Sequence, residues 1–188
     1  MFRLRLATPA DVPALRVLVE ASVRGLSAGY YSGEQVESAL RFLLGSDTRL
    51  IDDGTYYVAE AGAGGLVAAG GWGRRRTTHG GDRARAGGGD DLLDPATDPA
   101  RIRAFFVHPA WARRGLGRLL FGRCAADAAA AGFRALELVA TLPGEPLYRA
   151  LGFAALDRSE VAMPDGLTLP VVRMIRPLPA PARDRPGG

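Results

Sequence analysis

The chain has no lysine, so all 24 of its formal Lys and Arg cations are arginine. A Walker phosphate loop, which needs Gly-Lys-Ser/Thr, is thereby excluded. Cysteine is nearly absent too. The single Cys124 rules out an internal disulfide and a cysteine zinc cluster. With two histidines, His79 and His108, a histidine-rich metal site is not expected, so no metal is predicted. No apolar run approaches the roughly 20 residues that span a bilayer. Met1 to Leu6 carries no signal-peptide pattern, and a soluble cytoplasmic protein with no membrane partner is the expectation. Charge of one sign is also scarce: 24 basic against 20 acidic residues leave +4. That excess does not imply nucleic-acid binding, although it suits a small polyanionic ligand. What is present is an ordinary globular balance, 47% hydrophobic and 23% charged over 188 residues. That length suits one domain.

Phe2, Leu4 and Leu6 alternate with Arg3 and Arg5, predicting a half-buried strand. Thr8-Pro9-Ala10-Asp11 opens a helix whose inner face carries Leu15, Leu18, Val19 and Ser22. Gly25 to Tyr31 reads as a break. Ser32 to Gln35 has the capping-box spacing and starts a second helix running to about Leu44. Thr55 to Glu60 and Leu66 to Trp72 read as a hairpin about a turn at Gly62 to Gly65. Residues 74–100 hold Arg74-Arg75-Arg76, glycine clusters and several aspartates, with no surviving period. A long flexible loop is predicted there, with a lid role over an acceptor entrance. Ile102 to Val107 is a strongly apolar strand. Gly115 to Ala131 is a helix, with Leu116, Leu119, Leu120 and Cys124 expected inside. Ala135 to Ala140 is a strand, Pro146 to Leu151 a short helix, and Phe153 to Met163 and Leu167 to Ile175 a last strand pair. Residues 177–188 read as a disordered Pro/Arg/Gly tail. The order β-αα-ββ-β-α-β-α-ββ predicts an α/β fold with a mixed sheet, as one domain over residues 1–176.

The sharpest chemistry lies at Phe105-Phe106-Val107-His108-Pro109-Ala110-Trp111-Ala112-Arg113-Arg114-Gly115-Leu116-Gly117-Arg118. A buried strand ends, the chain turns, and glycines open an amphipathic helix. A helix N-terminus offers unsatisfied N–H groups and a positive dipole end, and Arg113, Arg114 and Arg118 add full charges. The segment reads as a phosphate or pyrophosphate site. It is no Rossmann fingerprint, because Leu120 stands where a third glycine is needed. A second segment, Glu137 to Thr141 followed by Pro146-Leu147-Tyr148-Arg149-Ala150-Leu151-Gly152-Phe153, places a tyrosine on a short helix after a strand.

Together the two segments resemble the GNAT superfamily of acyl-CoA-dependent N-acetyltransferases. The first resembles its [Gln/Arg]-x-x-Gly-x-[Gly/Ala] acyl-CoA loop, the second its Tyr-x-x-Leu-Gly-Phe segment. Ala112 departs from the usual Gln/Arg, and Thr141 stands near a customary asparagine. The resemblance implies a mostly antiparallel sheet flanked by helices, with splayed fourth and fifth strands. It implies acetyl-CoA as co-substrate and transfer of its acetyl group to a primary amine by direct attack. The acceptor is a small-molecule or peptide amine, and a homodimer is compatible. By the same resemblance, Phe106, Val107, Arg113, Arg114, Gly115, Leu116, Gly117, Arg118 and Thr141 form the cofactor site. The Val107 amide holds the acyl carbonyl, and Tyr148 protonates the leaving thiolate. The competing reading is a non-catalytic acyl-CoA sensor or scaffold.

Other residues invite plainer readings. His108 reads as structural, Cys124 as core, and Trp72 and Trp111 as packing anchors. Glu137, Glu60 and Asp52 are carboxylates for which a base role has no support beyond residue type. Tyr30 and Tyr31 read either as lining for an acceptor pocket or as a half-buried pair. An arginine-based nucleic-acid site around Arg74 to Arg85 lacks interleaved aromatics and is offset by Asp82, Asp90, Asp91 and Asp94, so no nucleic-acid partner is expected.

Overall fold

The computed structural model describes residues 2–62, 65–77, 82 and 91–179. In chain order the elements are β1 (Arg3–Leu6), a 3-10 turn (Pro9–Asp11), α1 (Val12–Leu26), α2 (Gly33–Phe42), α3 (Thr48–Asp52), β2 (Tyr56–Glu60) and β3 (Leu66–Gly73). There follow β4 (Ala100–Val107), a second 3-10 turn (Pro109–Trp111), α4 (Leu116–Ala130), β5 (Ala135–Thr141), α5 (Glu145–Ala150), β6 (Ala154–Ala162) and β7 (Thr168–Pro177). The strands form one sheet in the order β1-β2-β3-β4-β5-β7-β6. All neighbours are antiparallel except β4 and β5. That parallel pair registers only at Ala100↔Leu136 and Arg101↔Glu137. Beyond it the strands part, so the expected mixed sheet with splayed central strands is met.

Strand alternation sends successive side chains to opposite faces. Tyr57, Ala59, Trp72 and Ile102 pack with Leu116, Leu120, Phe121 and Cys124 of α4. Tyr56, Val58, Ala69 and Phe106 pack with Leu15, Leu18 and Val19 of α1. The entry to α1 is fixed as its sequence suggests. The Asp11 carboxylate accepts from the Thr8 amide at 2.8 Å and hydroxyl at 2.9 Å, and it receives Arg5. Ser32 and Gln35 exchange capping bonds of 3.0 and 3.1 Å at the start of α2.

Several expectations are corrected. Gly25 does not break the first helix; α1 runs through it to Leu26. A Cβ on Gly25 would lie 2.3 Å from the Pro109 ring, so the glycine permits a close helix-turn contact. α3 was not expected. Its first turn is capped from 34 residues away by Asp82, whose carboxylate accepts from the Thr48 amide at 3.0 Å and hydroxyl at 2.7 Å. Leu119 faces outward at 42% exposure, because the buried stripe of α4 runs Leu116, Leu120, Cys124, Ala128.

The flanks of the 74–100 segment are structured. Arg75 bridges Leu92 across an antiparallel pair and holds Asp53 at 2.8 Å, and Leu93 is buried in the core. The rest of the proposed lid, residues 78–81 and 83–90, lies outside the described residues. The predicted tail starts too early, since Pro177 ends β7 and the buried Leu178 donates to the Arg134 carbonyl at 2.8 Å. Residues 180–188 lie outside the described residues.

Candidate active site

The parting of β4 from β5 opens a cleft of about 680 Å³. Its far mouth is made by the turn into α4. His108 caps the 3-10 turn by accepting the Ala110 amide at its Nδ1, 3.2 Å away, which accounts for that histidine structurally. Arg113 then adopts φ 64° and Gly115 φ 83°. Glycine meets no Cβ penalty in that left-handed region, so Gly115 can turn the chain straight into the helix. The Gly115 carbonyl accepts the Leu119 amide at 2.9 Å. The amides of Leu116, Gly117 and Arg118 therefore precede the first helical bond and are left for a ligand, at the positive end of a 15-residue helix.

Arg113, Gly115, Leu116, Gly117 and Arg118 all line the cleft. Arg114 is not among the lining residues; its guanidinium lies over the Trp111 ring at 4.8 Å. Trp111 in turn packs edge-on against Phe2, as an anchor. Gly117 also serves packing. A Cβ there would come within 2.8 Å of Leu147, so the glycine lets α5 close onto the start of α4.

The wall of the cleft is the free edge of β4. Phe106 and Val107 line it. Phe106 registers with Ala69, and two residues on the His108 amide donates to the Val67 carbonyl at 2.9 Å on β3. The Val107 amide therefore points the other way, toward the gap, where it donates to Ser22 Oγ at 3.1 Å. Three residues before Val107, β4 bulges. Ala104 has φ 53°, an uncommon conformation for a residue with a Cβ. Its carbonyl accepts from the fully buried Tyr56 hydroxyl at 3.2 Å. Opposite the bulge, Gly70 leaves room for the Phe105 ring, which would stand 2.6 Å from a Cβ.

Tyr148 enters from α5 on the other side. Its ring is held edge-on by Phe153 at 5.7 Å and Phe105 at 6.3 Å, and Phe153 is itself packed on Phe121 of α4. The Leu-Gly-Phe segment thus works as a buttress. The Phe153 amide donates back to the Tyr148 carbonyl at 3.0 Å, folding its ring against the tyrosine. Tyr148 lines the cleft, and its hydroxyl makes no hydrogen bond to the described residues. Burial pushes that hydroxyl above its ordinary range, with a smaller push from Cys124. It is protonated at neutral pH. Thr141 lines the same stretch at the end of β5.

Tyr31 resolves toward structure. Its hydroxyl donates to the Pro170 carbonyl at 2.6 Å and accepts the Leu142 amide at 2.8 Å, tying the loop before α5 to β7. Of the two, it is Tyr30 that lines the cleft. Glu137 is held by Arg101 at 2.8 Å, and Glu60 by Arg5 at 2.6 Å, so both carboxylates are used in ion pairs. Cys124 is buried, and its thiol is pushed up by that burial. Sequence reasoning missed an ion pair in the cleft wall, Asp47 with Arg103 at 2.8 Å. Burial lowers the Arg103 pKa, partly offset by Asp47. It also missed Ser22 and Tyr56 as partners of β4. The available signal was a serine within the apolar stripe Leu15, Leu18, Val19.

Among the described residues no group of three or more His, Cys, Asp or Glu could hold a metal ion, and no helix is long and apolar enough to cross a membrane. The sequence model of the family described as Acetyltransferase (GNAT) domain matches residues 52–155. A GCN5-related N-acetyltransferase from Rhodopseudomonas palustris is similar in structure, with a TM-score of 0.69 at 22% identity, over 94% of this chain and 95% of that one. The PaiA N-acetyltransferase of Thermoplasma acidophilum, solved with coenzyme A, gives 0.66 at 14% identity over 94% and 99%. A phosphinothricin acetyltransferase of Sinorhizobium meliloti, solved with acetyl-CoA, gives 0.59 at 21% identity over 99% and 93%. Comparison with curated protein sequences finds no match. Fold and family match together define an acetyl-CoA-dependent acyltransferase. The chain belongs to the GNAT acetyltransferase family.

Proposed function

We propose that this protein transfers the acetyl group of acetyl-CoA to a primary amine of a small molecule or peptide. The observation that carries the reading is the convergence of three features in one cleft: the open N-terminus of α4 with Arg113 and Arg118, the edge of β4 from which β5 has parted, and the Tyr148 hydroxyl. The cleft's volume suits a cofactor-sized ligand. The pyrophosphate would lie on the amides of Leu116, Gly117 and Arg118. The pantetheine arm would run along the β4 edge near Phe106 and Val107, past Thr141, toward Tyr148. Arg114, stacked on Trp111, would act on the phosphates only from a distance. Residues 1–176, extended by the close of β7 and Leu178, would form the catalytic domain.

In the reaction the amine nitrogen attacks the thioester carbon and the carbonyl pair moves to oxygen. The oxyanion collapses, the C–S bond breaks, and the sulfur leaves with the bonding pair. The nitrogen loses one proton and the thiolate gains one, so amine and acetyl-CoA give amide and CoA thiol. Tyr148, whose hydroxyl opens on the cleft, would hand a proton to sulfur as the bond breaks. A thiol, at about 8.5, is a stronger acid than this tyrosine, so the hydroxyl must be reprotonated and the net proton comes from the amine. Thiol release from acetyl-CoA, followed with a panel of primary amines, tests the reading. Amine-dependent release supports it. Binding of acetyl-CoA with no release for any amine would favour the sensor or scaffold alternative.

A further inference from the structure

The helix α1 carries one serine, Ser22, set among the buried Leu15, Leu18, Val19 and Val23. A lone hydroxyl in an apolar stripe has to be satisfied, and here only half of it is. Its oxygen accepts the Val107 amide at 3.1 Å. A hydroxyl has one donor besides its two lone pairs. Helical serines commonly spend that donor on the carbonyl one turn back. Ser22 donates to none of the described residues, although the side chain is buried and lines the cleft. Its O–H therefore stands unspent at the edge of β4 from which β5 has parted.

Accepting the Val107 N–H also polarises the hydroxyl, which makes it a better donor. The nearby backbone is fixed. Tyr56 pins the Ala104 carbonyl, and the Phe105 ring fills the space above Gly70. The edge is thus pre-set before any ligand arrives, as stabilisation of a developing charge requires.

We propose that Ser22 is a catalytic residue. Its O–H donates to the thioester carbonyl oxygen of bound acetyl-CoA and then to the oxyanion formed when the amine attacks. The carbonyl electron pair moves onto that oxygen and returns as the C–S bond breaks. Ser22 keeps its proton throughout, and Val107 acts through it. This inference rests on the acetyl-CoA reading above.

The test compares affinities and needs no acceptor. Acetyl-CoA and CoA share every contact except those of the acetyl group. Calorimetry on wild type, Ser22→Ala and Ser22→Thr gives the ratio of CoA to acetyl-CoA dissociation constants. Loss of one hydrogen bond to the carbonyl lowers that ratio about 5- to 10-fold in Ser22→Ala, with CoA affinity unchanged. Ser22→Thr, which keeps the hydroxyl, restores the ratio. If Ser22 only plugs the Val107 amide, Ser22→Ala frees that amide for the carbonyl and acetyl-CoA binds more tightly, which overturns the proposal. An unchanged ratio, or equal loss for both ligands, overturns it as well. A wild-type protein that binds neither ligand overturns the acetyl-CoA reading itself, a result distinct from the others.

Discussion

Tyr148 is fixed at its ring and left open at its hydroxyl. Three aromatic rings, Phe105, Phe121 and Phe153, form the buttress that fixes its plane, directly or through one another, while its hydroxyl is left without a protein partner among the described residues. A packing tyrosine would have its hydroxyl satisfied, as Tyr31 and Tyr56 do. Tyr148→Phe keeps the ring and its two ring contacts. We expect kcat to fall about 10²- to 10⁴-fold with acetyl-CoA affinity unchanged, measured by thiol release once an accepting amine is in hand. Near-full turnover in the variant would leave the thiolate to water. At this scale position in the fold was readable where a residue type and a local motif coincide, as in the left-handed turn at Gly115 and the place of Tyr148 on a short helix at the cleft. It was not readable where a partner comes from far along the chain. Ser22 meets Val107 across 85 positions, and nothing local marks that meeting. Arg114 was legible as a charge near the turn, but its stacking on Trp111 depends on how the 3-10 turn folds.

Among the elements, the contact between α1 and the turn before α4 matters most for the site. Gly25 touches the Pro109 ring so closely that no Cβ fits without a shift. Glycine inside a helix normally costs about 1 kcal/mol against alanine. Gly25→Ala should nonetheless lower stability, by about 1–2 kcal/mol, because overpacking outweighs the propensity gain. Gly122→Ala in α4 is the control. Nothing lies within 4 Å of its added Cβ, so it should gain up to about 1 kcal/mol. Denaturant midpoints for the two variants should therefore move in opposite directions. The same contact explains why the glycine looked like a break. Sequence alone cannot distinguish a glycine that bends a chain from one that admits a neighbour. Strand positions were legible from alternation, but the insertion of β7 between β5 and β6 is a pairing choice among distant segments. α3 was illegible for a similar reason, since its cap, Asp82, lies far along the sequence.

At the scale of the whole molecule, the fold ties its first strand to the start of α1 through Arg5 and Asp11, joined by two bonds of 2.8 Å. The Arg5 guanidinium holds the Asp11 carboxyl well below the usual carboxylate range. A carboxyl depressed on folding adds stability above its unfolded pKa and loses it as pH falls toward the folded value. The unfolded value is about 3.9. The wild-type advantage over Asp11→Asn should be full at pH 7 and shrink progressively below about pH 4, as urea titrations at several pH values would record. A constant difference would remove this ion pair from the account of acid stability. The molecule's central feature is the cleft along the parted strands, where the start of α4 is proposed to receive the phosphates of acetyl-CoA. Gly117→Glu is a poor probe of it, because the new side chain would also meet Leu147. Arg113 and Arg118 are exposed at the cleft, so their charges can be reversed with little effect on packing. The most direct measurement is calorimetry of acetyl-CoA binding to wild type and to Arg113→Glu/Arg118→Glu. Wild type should bind saturably at one site and weaken with added salt, while the variant should lose about 100-fold or more in affinity. Equal affinity in the two proteins, or no binding by the wild type, would contradict the placement of acetyl-CoA in this cleft.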